Sequence, residues 1–128
     1  MTIPLSAPQI PTWLDRFTAA IDTMDVELQL AFFTEDASFT FGNNPPMIGH
    51  DGIRDGINAF FRNLHGIRHT VPRSWQPSSD VVVAEYTTTY VRLDDTEVTL
   101  NASGVFQLRG ERIAEYHVYT DLSPLFAA

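Results

Sequence analysis

From Ile67 to Asp121 the chain reads almost without a break as β-strand. Four extended runs, Ile67 to Gln76, Val81 to Leu93, Val98 to Leu108 and Ile113 to Asp121, follow one another across short turns at Pro77-Ser78-Ser79-Asp80, Asp94-Asp95 and Arg109-Gly110-Glu111. Connections this short cannot carry the crossover that parallel neighbours require, so consecutive strands must pair antiparallel.

Upstream the period changes. Trp13, Leu14, Phe17, Ala20 and Ile21 recur at helical spacing and predict a helix from Ile10 to Ile21. Asp25 is a natural N-cap for a second helix, Val26 to Phe33, with Glu27 in its first turn. Asp36 to Phe41 reads as a strand, and Gly42-Asn43-Asn44-Pro45-Pro46 as a loop. Gly49-His50-Asp51 opens a third helix along Ile53, Ile57, Phe60, Phe61 and Leu64. The expected fold is α+β, in the order α-α-β-α-β-β-β-β. It is a cone in which three N-terminal helices pack on a strongly curved, mainly antiparallel sheet with an apolar pocket at its open end. The 128 residues fit a single domain, 1–128, with 1–9, which holds Pro4 and Pro8, as a loose lead-in.

Composition excludes several classes of function. Eight Lys and Arg against sixteen Asp and Glu leave a net charge of −8, which repels phosphate backbones and anionic membrane surfaces. No nucleic acid and no membrane is expected as a partner. The chain has no cysteine, which removes disulfides and thiolate chemistry and fits a reducing, cytoplasmic compartment. No run is apolar and long enough for a leader or a membrane span. There is no H-E-x-x-H, no G-x-G-x-x-G and no G-x-S-x-G, so no metal, no cofactor and no nucleophilic serine is expected.

Alternation along the strands sorts the candidate site residues. Ile67, His69, Val71, Arg73 and Trp75 share one face, and so do Val81, Val83, Glu85, Thr87 and Thr89. Leu100, Ala102, Gly104, Phe106 and Leu108 form an apolar face; Tyr116 and Val118 lie opposite His117 and Tyr119. Trp75, Phe39, Phe41, Phe61 and Phe106 are candidates for core and cavity wall. Tyr116 offers a phenolic donor, and Glu85 is either a cavity acid or the partner of Arg73. Tyr86, Thr88, Tyr90 and Arg92 are expected on the outer face, as the contact of a homodimer. Asp22 and His69 are the remaining titratable pair. One reading makes Asp22 a helix cap and His69 a satisfied core histidine. The other has Asp22 orient His69 as a proton carrier.

Several motifs carry a resemblance: Ile21-Asp22-Thr23-Met24-Asp25, Phe33-Thr34-Glu35-Asp36-Ala37, Phe41-Gly42-Asn43 with Ile48-Gly49, Ile67-Arg68-His69 with Trp75, and Tyr119-Thr120-Asp121-Leu122-Ser123-Pro124-Leu125. Together they resemble the nuclear transport factor 2-like superfamily, in particular its SnoaL-like and ketosteroid-isomerase-like members, over the whole chain. Laid on the ketosteroid isomerases, the general base falls on Phe41, the oxyanion-hole acid on Gly104 and the oxyanion-hole tyrosine on Phe17. None of the three can do that chemistry, so steroid isomerisation is not expected. In scytalone-dehydratase-like and bile-acid-dehydratase-like members, an aspartate ending the first helix and a histidine on the second strand are catalytic. Those positions look like Asp22 and His69. The tyrosine before that aspartate is Ile21 here, and a second histidine falls near Val91.

The resemblance implies a cofactor-independent dehydratase, cyclase or isomerase. Asp22 and His69 would be its catalytic residues, and Phe17, Phe39, Phe41, Phe61, Trp75, Glu85, Phe106 and Tyr116 its substrate contacts. The substrate would be a small hydrophobic molecule of polyketide, steroid or terpenoid type. The alternatives are a non-catalytic ligand-binding module and a structural dimer of the same fold.

Overall fold

The computed structural model describes residues 9–127. The lead-in expected over 1–9 lies outside them, except for Gln9, which stands at the N-cap of the first helix. That helix, α1 (Ile10–Asp22), carries a proline in its first turn, where no backbone donor is lost. It buries Trp13, Leu14, Phe17 and Ile21, the stripe its spacing predicts. Met24 takes a positive φ of 61° at the break that follows, and the Asp25 carboxylate then caps α2 (Val26–Leu30) by accepting from the Glu27 N–H at 3.1 Å. This helix is shorter than its pattern suggests. Phe32 and Phe33 are drawn into the core, and β1 (Phe33–Phe41) begins three residues before Asp36.

A two-residue strand, β2 (Met47–Ile48), follows the proline loop and leads into α3 (Gly49–Phe61). Four longer strands complete the fold: β3 (Leu64–Ser78), β4 (Val81–Arg92), β5 (Glu97–Arg109) and β6 (Arg112–Thr120). They form one six-stranded sheet in the order β2-β1-β6-β5-β4-β3, and it does not close into a barrel. All neighbours are antiparallel except β1 and β6, which are far apart in sequence and run parallel. The fold is α+β, as the element order predicts. The helices fill the concave side, where Trp13, Phe17, Phe33, Phe106 and Tyr116 build an aromatic floor of stacked and edge-on rings.

One departure from strict alternation and one reversal of the expected faces position the site. On β3, Thr70 pairs with Thr87 but Arg73 pairs with Glu85, so three steps on one strand match two on the other. This bulge at Val71-Pro72 inverts the faces beyond it. On β4 the buried residues are Val82, Ala84, Tyr86, Thr88 and Tyr90, the reverse of the expected set. The register explains it. Tyr86 lies opposite Ala102, Ala84 opposite Gly104 and Val82 opposite Phe106, so β4 must turn its even-numbered face inward alongside the apolar face of β5.

Candidate active site

Asp22 is the last residue of α1, where a helix's partial negative charge disfavours a carboxylate. Two donors from β3 compensate. Asp22 Oδ1 lies 2.6 Å from His69 Nδ1, and Asp22 Oδ2 accepts from the His69 backbone N–H at 3.0 Å. An ionised carboxylate only accepts, so Nδ1 is the donor in this contact, and a neutral ring protonated there has Nε2 as its acceptor. Among the described residues Nε2 has no partner. The His69 side chain is 11% exposed and lies edge-on to Tyr86, with ring centroids 5.8 Å apart.

His69 forms part of the wall of an apolar cavity. Ile21 on α1, Gln29 on α2, Phe39 and Phe41 on β1, and Ile57, Phe60 and Phe61 on α3 make one side. Ile67 on β3, Tyr86, Thr88 and Tyr90 on β4, Ala102 on β5, and Tyr116 and Val118 on β6 make the other. The cavity volume is about 40 Å³. Phe41, Ile57 and Phe60 also face an outer groove of about 420 Å³ that reaches Met47, Leu122 and Phe126.

Two phenols meet at the bottom. Tyr116 donates its hydroxyl hydrogen to the Tyr86 oxygen at 2.9 Å, which leaves the Tyr86 hydrogen free for an acceptor in the cavity. They fit only because residue 104 is glycine: a Cβ there would stand 2.8 Å from a ring carbon of each tyrosine. Burial holds all three cavity phenols protonated. It pushes Tyr86 well above the ordinary phenol range, the neighbouring Tyr116 adding to the effect, pushes Tyr90 to about 12, and raises Tyr116 as well.

Of the residues singled out in the sequence, Asp22, His69, Phe39, Phe41, Phe61 and Tyr116 come together here. Four others do not. Phe17 and Phe106 are fully buried one layer below, packed against Tyr116 at 5.6 and 4.1 Å between centroids. The β3 bulge swings Trp75 to the outer face, where it is 45% exposed. Glu85 lies on the same outer face and pairs with Arg73 at 3.3 Å. The proposed dimer face is corrected too. Tyr86, Thr88 and Tyr90 are buried in the cavity, and Arg92 donates to the carbonyls of Pro124 and Leu125, pinning the C-terminal turn.

Gln29, Tyr86, Thr88 and Tyr90 are the site residues that sequence reasoning missed. For β4 a signal existed: both faces hold apolar residues, but only one avoids burying Glu85. Among the described residues no three His, Cys, Asp or Glu side chains converge as a metal site, and no helix is long and apolar enough to cross a membrane.

Fold and site together define a small α+β pocket protein, with a carboxylate–imidazole pair set in a greasy wall. The chain belongs to the SnoaL-like domain family, whose model matches residues 14–116. The fold recurs in solved structures with nuclear transport factor 2-like and ketosteroid-isomerase-like names. A Novosphingobium aromaticivorans protein provisionally named an aromatic ring hydroxylase is 26% identical, with a TM-score of 0.78 over 89% of this chain and 92% of that one. TerC, co-crystallised with polyporic acid, is 20% identical, with a TM-score of 0.79 over 94% and 96%. A Jannaschia sp. CCS1 protein provisionally named a SnoaL-like polyketide cyclase is 17% identical, with a TM-score of 0.79 over 98% and 94%. No curated protein matches the chain.

Proposed function

We propose that the protein is a cofactor-independent acid/base enzyme acting on a small, largely apolar cyclic substrate. The observation that carries this reading is the 2.6 Å contact from Asp22 to His69 Nδ1, which leaves Nε2 unbonded among the described residues, on a residue that lines the cavity. His69 Nε2 takes a proton from the carbon beside a substrate carbonyl, and the electron pair moves onto the carbonyl oxygen. Asp22 stabilises the imidazolium so formed. The free Tyr86 hydroxyl hydrogen meets the developing enolate oxygen, backed by the Tyr116 hydrogen bond. The imidazolium then returns the proton to a different carbon, an isomerisation, or to a departing hydroxyl, which leaves as water. Dehydratase, cyclase and isomerase chemistry all begin with this step.

A second reading rests on the other Asp22 contact. The 3.0 Å bond to the His69 backbone ties the end of α1 to β3, as a purely structural clamp beneath a binding pocket would. Exchange of substrate protons separates the two. Incubated in D₂O with cyclic ketones from cyclohexanone to 2-tetralone, the enzyme should load deuterium beside the carbonyl of at least one of them. His69→Ala should slow that exchange by about 10²-fold. Exchange with no member of the series, or exchange that survives the substitution, leaves only the binding module.

A further inference from the structure

Gln29 stands apart from the acid/base pair. It is 2% exposed, lies on the short helix α2 and lines the cavity, yet its side-chain oxygen accepts no hydrogen bond from any described residue. A buried acceptor without a donor is destabilising, by about 1–3 kcal/mol in general. None of the other polar groups on the wall, the hydroxyls of Tyr86, Thr88, Tyr90 and Tyr116 or the His69 ring, makes a hydrogen bond to it. Tyr116 gives its hydrogen to Tyr86, and the His69 Nδ1 proton goes to Asp22. An amide is thus presented to the ligand across an otherwise greasy surface, in the manner of sites that fix a ligand's orientation with a few convergent polar groups.

We infer that Gln29 is the substrate's recognition residue, and that the substrate is a hydroxylated ring compound whose hydroxyl donates to Gln29 Oε1. A hydroxyl both donates and accepts, so it can also serve the amide's N–H₂ end. A ring held this way sets its hydroxyl at α2 while its reacting carbon faces His69 from β3. This deepens the proposed function, and it rests on the same cavity being the ligand site.

The test uses phenol, anisole and toluene as probes of one ring size, with affinities measured by titration of the full chain. Phenol alone can donate. Replacing the amide with an apolar group of similar size, Gln29→Leu, should lower the ratio of phenol to toluene affinity about tenfold. It should leave the anisole-to-toluene ratio nearly unchanged. The ligand-free variant should melt above wild type, because the orphan acceptor is gone. Gln29→Met provides the same comparison if the leucine variant does not fold, and retained toluene binding shows that the pocket is intact. A phenol-to-toluene ratio that ignores the substitution overturns the inference, as does failure of wild type to bind phenol. The readout is affinity with Asp22 and His69 untouched. Loss of the acid/base reading through the deuterium experiment therefore leaves this result standing, and the converse holds.

Discussion

Residue 104 shows how much a missing side chain can decide. Where the ketosteroid isomerases resemble this chain, an acid would project from this position. Here two phenols occupy that space, with ring carbons 2.8 Å from where a Cβ would be. In the proposed mechanism the donor to a substrate oxygen is Tyr86 on β4, one strand away from this β5 position. Gly104→Ala forces both rings to shift within a packed floor. It should destabilise the protein by about 1–3 kcal/mol in urea unfolding, since overpacked cores respond on that scale. It should also break the Tyr116–Tyr86 contact and reduce ketone proton exchange. A variant as stable and active as wild type would show that the rings have slack. Phe41 and Phe17 follow the same logic: one lines the cavity and the other lies in the floor, and neither has a proton to give or take.

At the scale of elements, the site is made where the end of a helix meets a strand. Asp22 is positioned by the length of α1, and His69 by the part of β3 that precedes the Val71-Pro72 bulge. Cutting the carboxylate with Asp22→Ala leaves the His69 N–H and Nδ1 proton without acceptors, at a cost of about 1–3 kcal/mol. Removing a negative charge from a helix C-terminus offsets about 0.3–1 kcal/mol of that. The expected result is a net loss of about 1–2 kcal/mol in urea unfolding, together with loss of proton exchange. Asp22→Asn should recover part of the stability, because its amide oxygen still accepts, but little of the exchange. Equal recovery of both would mean that the negative charge has no part in the chemistry. The helix end was legible in the spacing of the α1 stripe and in the capping aspartate that follows it. That the strand opposite would place its histidine there was legible only through the family resemblance, because no local pattern links residues 47 positions apart.

For the molecule as a whole, three of the four tyrosines sit in one buried group. Their folded-state values lie above the ordinary phenol value near 10, and Tyr90 reaches about 12. The unfolded chain therefore releases phenol protons first as pH rises. Stability from this source is fully present below about pH 10; the Tyr90 share is lost from there through about pH 12, and loss of the Tyr86 and Tyr116 shares continues to higher pH still. Melting temperature should fall steeply across that window. Most tyrosinate absorbance should appear together with loss of near-ultraviolet circular dichroism rather than before it. Full ionisation near pH 10 with the fold intact would show that the phenols are open to water.

The sequence alone determined what local physics can determine. Helical spacing marks which stripe of α1 is buried, Asp25 marks where α2 begins, and short turns require β3 to β6 to lie antiparallel. The apolar face of β5 is plain from Leu100 to Leu108. Tertiary structure decided the rest. Alternation divides a strand into two sets but does not say which set faces inward when both hold apolar residues, as on β4. One extra residue at Val71-Pro72 reverses Trp75; the proline marks an edge strand or a bulge, but the strand's own pattern does not say which. The parallel pairing of β1 with β6, and the depth at which α2 buries Gln29, depend on contacts between segments far apart in the chain. Those contacts exist only once the helices have closed over the sheet, and they are what separate a cavity wall from an outer surface.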